Sequence, residues 1–205
     1  MKYIKSLLAL AVATSAFGAQ ATNLVTNGSF ESTSQASGTY GVYTTLPGWD
    51  TWSVEVRNNL AGIAQDGANF VELDTTKNSN ISQNISIATA GAYQLSFWYD
   101  SRPGNGARPT DTNLLAWTFG ANSGSILNNW TTDVQGDWTN YTGTFNLAAG
   151  LVGLSFAAGG TSDSYGGSLD NVSVTLVPEP ESYAMLLAGL GLMGAIARRR
   201  TARES

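Results

Sequence analysis

The sequence predicts an all-β fold: an antiparallel two-sheet β-sandwich of the jelly-roll kind. Three observations carry this. Apolar residues recur with a period of two in short runs, and no long 3.6-residue pattern competes with them before the last thirty residues or so. Turn signals such as Pro47-Gly48, Asp66-Gly67, Ala90-Gly91 and Gly159-Gly160 separate the runs. The stretch from Thr22 to Val177 is rich in Thr, Ser, Asn, Gly and aromatics, poor in charge, and long enough for one domain with a real core.

In chain order, residues 1–21 read first as a secretion signal. Lys2 and Lys5 precede the apolar Leu7 to Ala13, and Ala19-Gln20-Ala21 is a small-x-small cleavage site. The mature chain is expected to start at Thr22, and the sandwich domain to span 22–177.

Within it, Trp52, Val54 and Val56 alternate with Ser53, Glu55 and Arg57. Val71 and Leu73 alternate with Glu72 and Asp74, and Ile81, Ile85 and Ile87 share one parity. Tyr93, Leu95, Phe97 and Tyr99 form the longest such run. Leu115, Trp117 and Phe119 follow, then Tyr141, Phe145 and Leu147, then Val152, Leu154 and Phe156, and last Val172, Val174 and Leu176. Eight or nine short strands result. Two loops are expected, from Asp100 to Thr112 and from Gly120 to Gly136.

The tail, 178–205, has a different character. Pro178-Glu179-Pro180 leads into an uncharged run, Ser182 to Ala197, which ends at Arg198, Arg199 and Arg200. From Tyr183 to Ala197 a helix would cover roughly 22 Å, short of the ~30 Å hydrocarbon core, with Ser182 and snorkelling arginines making up the difference. The expectation is a single transmembrane helix over 182–197 with a cytoplasmic C-terminus, since the basic cluster follows the span.

Composition excludes much chemistry. There is no cysteine and no histidine, which removes disulfides, Cys/His zinc sites, and Ser-His-Asp or Cys-His nucleophilic machinery. Between Thr22 and Val177, Arg57, Lys77, Arg102 and Arg108 face 12 carboxylates, a net charge near −8. That argues against nucleic acid as a partner.

The tail resembles the PEP-CTERM sorting signal of Gram-negative bacteria: a Pro-Glu-Pro motif at 178–180, an apolar segment rich in Leu, Gly and Ala, and the basic stop Arg198 to Arg200. The resemblance implies an exosortase-type processing enzyme as partner, passage through the inner membrane, and a cell-surface or exopolysaccharide-associated destination. The body carries Asn27-Gly28-Ser29-Phe30-Glu31 near its start and Ser168-Leu169-Asp170-Asn171-Val172 near its end. Between them lie Leu46-Pro47-Gly48-Trp49, the strand Gly67 to Asp74, and Gly91 to Phe97. In these stretches it is similar to galactose-binding-like jelly rolls of the DUF642 and choice-of-anchor C type, related to some carbohydrate-binding modules.

Three kinds of site follow. Asp170 shares sequence parity with Val172 and Val174, so it should face the interior or its rim, where an unpaired carboxylate is costly. If the first and last strands are neighbours, Glu31 comes close to it. Two carboxylates with backbone carbonyls would suit a structural Ca²⁺, which the resemblance also implies; the alternative is that Asp170 caps backbone amides. Trp98 shares parity with Gln94, Ser96 and Asp100, and could stand on an outer face where sugar rings stack. Trp117, Trp130, Trp138, Tyr40, Tyr43 and Tyr165 are further ligand candidates, against the commoner use of aromatics in a core. Glu55, Glu72, Asp74 and Asp100 could supply a glycosidase pair, but their spacing selects no two of them. The reading is a non-catalytic surface or matrix protein that binds carbohydrate, with a purely structural protein as the alternative and a hydrolase behind both.

Overall fold

The computed structural model describes residues 22–102, 111–127, 137–178 and 180–203. The expected signal segment with Ala19 and Ala21, the candidate Trp130, and Glu179 of the tail motif lie outside the described residues. Eleven strands form two antiparallel sheets among the described residues. One has six strands in the order β1 (Thr39–Tyr43), β3 (Val54–Asn58), β4 (Asn69–Glu72), β11 (Ser168–Leu176), β6 (Gly91–Asp100), β9 (Thr139–Leu147). The other has five, in the order β2 (Asp50–Thr51), β5 (Asn80–Ile87), β10 (Gly150–Gly159), β7 (Leu114–Phe119), β8 (Asn122–Leu127).

The core lies between the sheets and is built from the alternating positions. Val54, Val56, Val71, Leu95, Phe97, Leu169 and Val174 face it from the larger sheet, and Ile81, Ile85, Leu115, Phe119, Leu154 and Phe156 from the smaller. Phe97 stacks on Tyr141 with ring centroids 4.7 Å apart and meets Phe156 edge-on at 4.9 Å, so rings from both layers interlock. The two ends of the domain are stitched together. Leu24 N–H donates to the Val174 carbonyl at 2.8 Å and Val172 N–H to the Gly28 carbonyl at 3.0 Å.

Three strands were not legible as alternation. β8, Asn-Ser-Gly-Ser-Ile-Leu, lies inside the stretch expected to be a loop. Its only large side chain packed on the core is Ile126, so it offers no repeating apolar signal. β1 and β2 are short edge strands whose residues are half-exposed or exposed.

A second difference concerns the face on which Asp170 lies. β11 is irregular between Asp170 and Ser173: Asp170 pairs with Trp98, but Ser173 pairs with Ser96. Asn171 takes up the extra residue with a φ of 47°. Leu169, Val172 and Val174 therefore face the core, while Asp170 faces outward beside Trp98. Shared sequence parity does not survive the bulge, and Asp170 is buried from the outside, beneath the chain at 65–66.

The tail forms one helix, α1 (Pro180–Arg203), which continues through Arg198 to Arg200 rather than stopping at Ala197. Leu187, Leu192, Met193 and Ile196 on it are exposed. Among the described residues no helix is long and apolar enough to cross a membrane, so the expected span over 182–197 is not met. Its uncharged run is short, and Gly189, Gly191 and Gly194 dilute it.

Candidate functional site

The larger sheet has an unusual outer face. Its central side chains are charged or aromatic, yet buried. The register places Glu55, Glu72, Ser168 and Asp100 side by side across β3, β4, β11 and β6. In the neighbouring rows Tyr40, Arg57 and Phe70 stand in line across β1, β3 and β4, and Asp170, Trp98 and Asn140 across β11, β6 and β9. Arg57 is the hub. It is 1% exposed, and its Nη2 lies 2.8 Å from Glu55 Oε2 and 3.2 Å from Glu72 Oε2. Its Nε–H also donates to Glu55 Oε2 at 2.9 Å.

Burial pushes the Glu72 carboxyl up to about 7, although the Arg57 charge pulls the other way. Glu72 Oε1 also accepts the Asp74 N–H at 2.9 Å. One guanidinium group thus brings the Glu55 and Glu72 carboxylates together. Glu72, however, is fully buried and committed to Arg57 and a backbone amide. Asp74 is equally committed: it accepts from Ser162 Oγ and from the N–H groups of Asp163 and Ser164 at 2.9–3.0 Å. These carboxylates hold loops.

Glu31 and Asp170 both bind the chain at 65–69. Asp170 Oδ2 accepts the N–H groups of Gln65 and Asp66 at 2.8 and 2.9 Å, and Oδ1 accepts that of Asn171 at 2.6 Å. Glu31 Oε1 accepts the N–H groups of Ala68 and Asn69 at 2.8 and 2.6 Å. Gly67, with φ 71°, lies between them, and a Cβ there would come 2.5 Å from Glu31 Cδ. Burial pushes the Asp170 carboxyl up to about 7 despite its amide donors. Calcium needs six to eight oxygens turned toward it. Here the carboxylate oxygens are met by N–H donors instead, and no group of three or more carboxylates that could hold a metal occurs among the described residues. These oxygens cap backbone amides, the alternative that the sequence left open.

The aromatic candidates divide. Trp117 is 5% exposed and sits between Tyr141 and Phe145 at 5.2 and 5.7 Å, so it is a core residue and not a ligand platform. Its parity with Leu115 and Phe119 places it there. Tyr43 packs against the core and its hydroxyl donates to Gln35 Oε1 at 2.9 Å. Trp98 is half-buried on the outer face, as its parity implied. Trp138 is also half-buried, meets Phe70 edge-on at 5.9 Å, and donates its indole N–H to the Ile63 carbonyl at 3.0 Å. Tyr165 is half-buried under the Arg102 guanidinium, 4.2 Å from the ring centroid. Tyr40 is the most exposed of the set, at 55%.

Sequence reasoning passed over Arg57, Arg102 and the exposed Trp52, which Lys77 covers at 4.5 Å. The signal was scarcity: only four basic residues lie between Thr22 and Val177, and three of them make these contacts. Arg102 Nη1 donates to the Ser164 carbonyl at 2.6 Å, and its pKa is lowered by burial and then by the nearby Arg57 charge.

Comparison with known proteins adds two findings. Residues 176–200 match the PEP-CTERM protein-sorting motif. The matched stretch includes the Pro178-Glu179-Pro180 motif and the basic run Arg198 to Arg200. The body resembles solved carbohydrate-binding modules. One is TmCBM61, solved in complex with beta-1,4-galactotriose: TM-score 0.51, 20% identity, covering 76% of this chain and 99% of that one. A family 35 carbohydrate-binding module from Clostridium thermocellum aligns with TM-score 0.46 and 20% identity, over 68% of this chain and 99% of that one. The first likeness shows a shared fold. Halomucin of Haloquadratum walsbyi is 30% identical over 172 residues, 79% of this chain; the chain spans 2% of that protein's length.

Proposed function

We propose that the protein is an exported, non-catalytic carbohydrate-binding protein, delivered to the cell surface or the exopolysaccharide matrix by an exosortase-type enzyme that reads its sorting tail. The observation that carries the binding half is the outer face of the larger sheet. There Trp98, Trp138 and Tyr165 are half-buried with ring surface left to solvent, and the Ile63 carbonyl and the Arg102 guanidinium hold the last two in place. Rigid aromatic surface beside the amide of Asn140 and the hydroxyl of Ser96 suits a sugar, which presents C–H patches and hydroxyls together. The charged groups of the same face neutralise one another beneath it. The sorting tail and the shared fold with a carbohydrate-binding module support the same reading.

The test is retention of the full chain on insoluble neutral and acidic polysaccharides, with intrinsic tryptophan fluorescence as a second readout. Retention that Trp98→Ala weakens at unchanged melting temperature supports the proposal. No retention on any polysaccharide, with fluorescence unmoved, leaves the alternative reading, a structural surface protein whose tryptophans such as Trp49 and Trp117 serve only the core.

A further inference from the structure

β9 is the last strand of the larger sheet, bonded to β6 through nine consecutive residues without a bulge. Its other backbone edge has no strand partner among the described residues. Natural sheets blunt such edges with charge, proline, bulges or very short strands. β9, Thr-Asn-Tyr-Thr-Gly-Thr-Phe-Asn-Leu, uses none of these.

Its sequence is also palindromic about Gly143. Asn140-Tyr141-Thr142 is followed, after the glycine, by Thr144-Phe145-Asn146. A strand that meets its own copy antiparallel about its centre sets residue i opposite its mirror position. Here that sets Thr142 against Thr144 and Tyr141 against Phe145, both favourable cross-strand pairs, and Asn140 against Asn146. The two rings face the core side and both remain half-buried. Phe97 and Trp117 hold Tyr141, and Trp117 and Phe119 hold Phe145, so their positions are fixed before any partner arrives. A Cβ at 143 would lie 2.8 Å from the Phe145 ring and 3.0 Å from the Tyr141 hydroxyl, which shows both rings leaning over the centre of the palindrome. The chain carries a net charge of −5, and β9 itself carries none. Along this strip two copies can approach without placing like charges in contact.

We propose that β9 is a self-association edge: two copies pair β9 to β9, antiparallel about Gly143, and join their larger sheets into one continuous sheet with two-fold symmetry. The occupant is a second copy because the strand complements itself, and a two-fold interface requires that.

The experiment measures the mass of the full chain by light scattering and reads the pairing by charge exchange. Thr142 and Thr144 are exposed and point away from the core. The chain as it stands gives a dimer. Thr142→Lys with Thr144→Lys sets lysine opposite lysine and gives a monomer. Thr142→Lys with Thr144→Glu sets lysine opposite glutamate and keeps the dimer. A lysine-pair chain mixed with a glutamate-pair chain gives a mixed dimer. A monomeric parent chain, or a lysine-pair variant that stays dimeric, overturns the proposal. Hydrogen exchange of 139–147 in the unaltered chain reads the same edge independently of any variant: protection rises with protein concentration if the edges pair and is unchanged if they do not.

Discussion

Glu31 and Asp170, from opposite ends of the domain, hold the same turn: Asp170 takes the amides of Gln65 and Asp66, and Glu31 those of Ala68 and Asn69. Side chains add to the hold: Ser29 donates its hydroxyl to Asp66 at 2.6 Å, Asn171 its amide to Gln65 Oε1 at 2.7 Å, and Asn69 its amide to the Thr33 carbonyl at 2.7 Å. The clamp consists of amide hydrogen bonds, so the melting temperature is expected to be the same with and without a chelator. Asp170→Ala strands three part-buried amides and should cost about 3 kcal/mol. Glu31→Ala, at an exposed site, should cost about 1 kcal/mol. Differential scanning calorimetry checks all three.

Glu72 and Asp170 give the fold an acid-favouring stability. Burial raises both carboxyls to about 7, above the 4.5 and 3.8 of their unfolded forms. The folded protein therefore binds these two protons more tightly than the unfolded chain does. Their stabilising contribution is complete below the unfolded values and is lost as the pH rises through about 7. The expected melting temperature is higher at pH 5 than at pH 8, and Glu72→Gln should reduce the difference. A melting temperature that climbs over that interval in the unaltered chain contradicts the assignment.

Arg57 should be far less replaceable than a surface arginine. Removing it takes the guanidinium donor from the buried Glu55 and Glu72 carboxyls and leaves a void, so Arg57→Ala is expected to cost about 3 kcal/mol. Arg57→Ala combined with Glu72→Gln tests whether the two side chains act as a unit, by the departure from additivity. Denaturant unfolding of the two variants reads the coupling directly.

The two tryptophans that the structure places on opposite faces, Trp98 and Trp117, should separate stability from binding. Trp117→Ala opens the core between Tyr141 and Phe145, with an expected loss of about 3–5 kcal/mol. Trp98→Ala should change stability little and weaken polysaccharide retention. The reverse pattern would remove the outer face as the binding surface.

Most of this fold could be read from alternation alone, because a sandwich buries every second residue of a strand and solvates the rest. Tyr93 to Tyr99 announces β6 in that way, and the core residues of β5, β7 and β10 follow suit. The outer face could not be read this way. Glu55, Arg57 and Glu72 are buried there although they alternate with the core residues, and nothing local in β3 or β4 distinguishes a covered charge from one in water. Asp170 shows a third case, in which the alternation is real but one inserted residue reverses its meaning.

That insertion makes the sharpest prediction. Asn171 occupies the left-handed region that glycine adopts without strain, and its side-chain amide donates to Gln65 Oε1 at 2.7 Å. Asn171→Gly keeps the backbone geometry and loses one side-chain hydrogen bond, so it should cost about 1 kcal/mol and leave the fold intact. Deleting residue 171 removes the bulge. With Val172 to Leu176 held in the core register, every residue before the deletion changes face, turning Asp170 inward and Leu169 outward. An uncompensated carboxylate would then replace a fully buried leucine in the centre of the larger sheet, and the deletion variant should not fold. Circular dichroism distinguishes the two: a native spectrum with a lowered midpoint for Asn171→Gly, and loss of cooperative unfolding for the deletion. A deletion variant that melts like the parent would mean that the bulge does not set the face of Asp170.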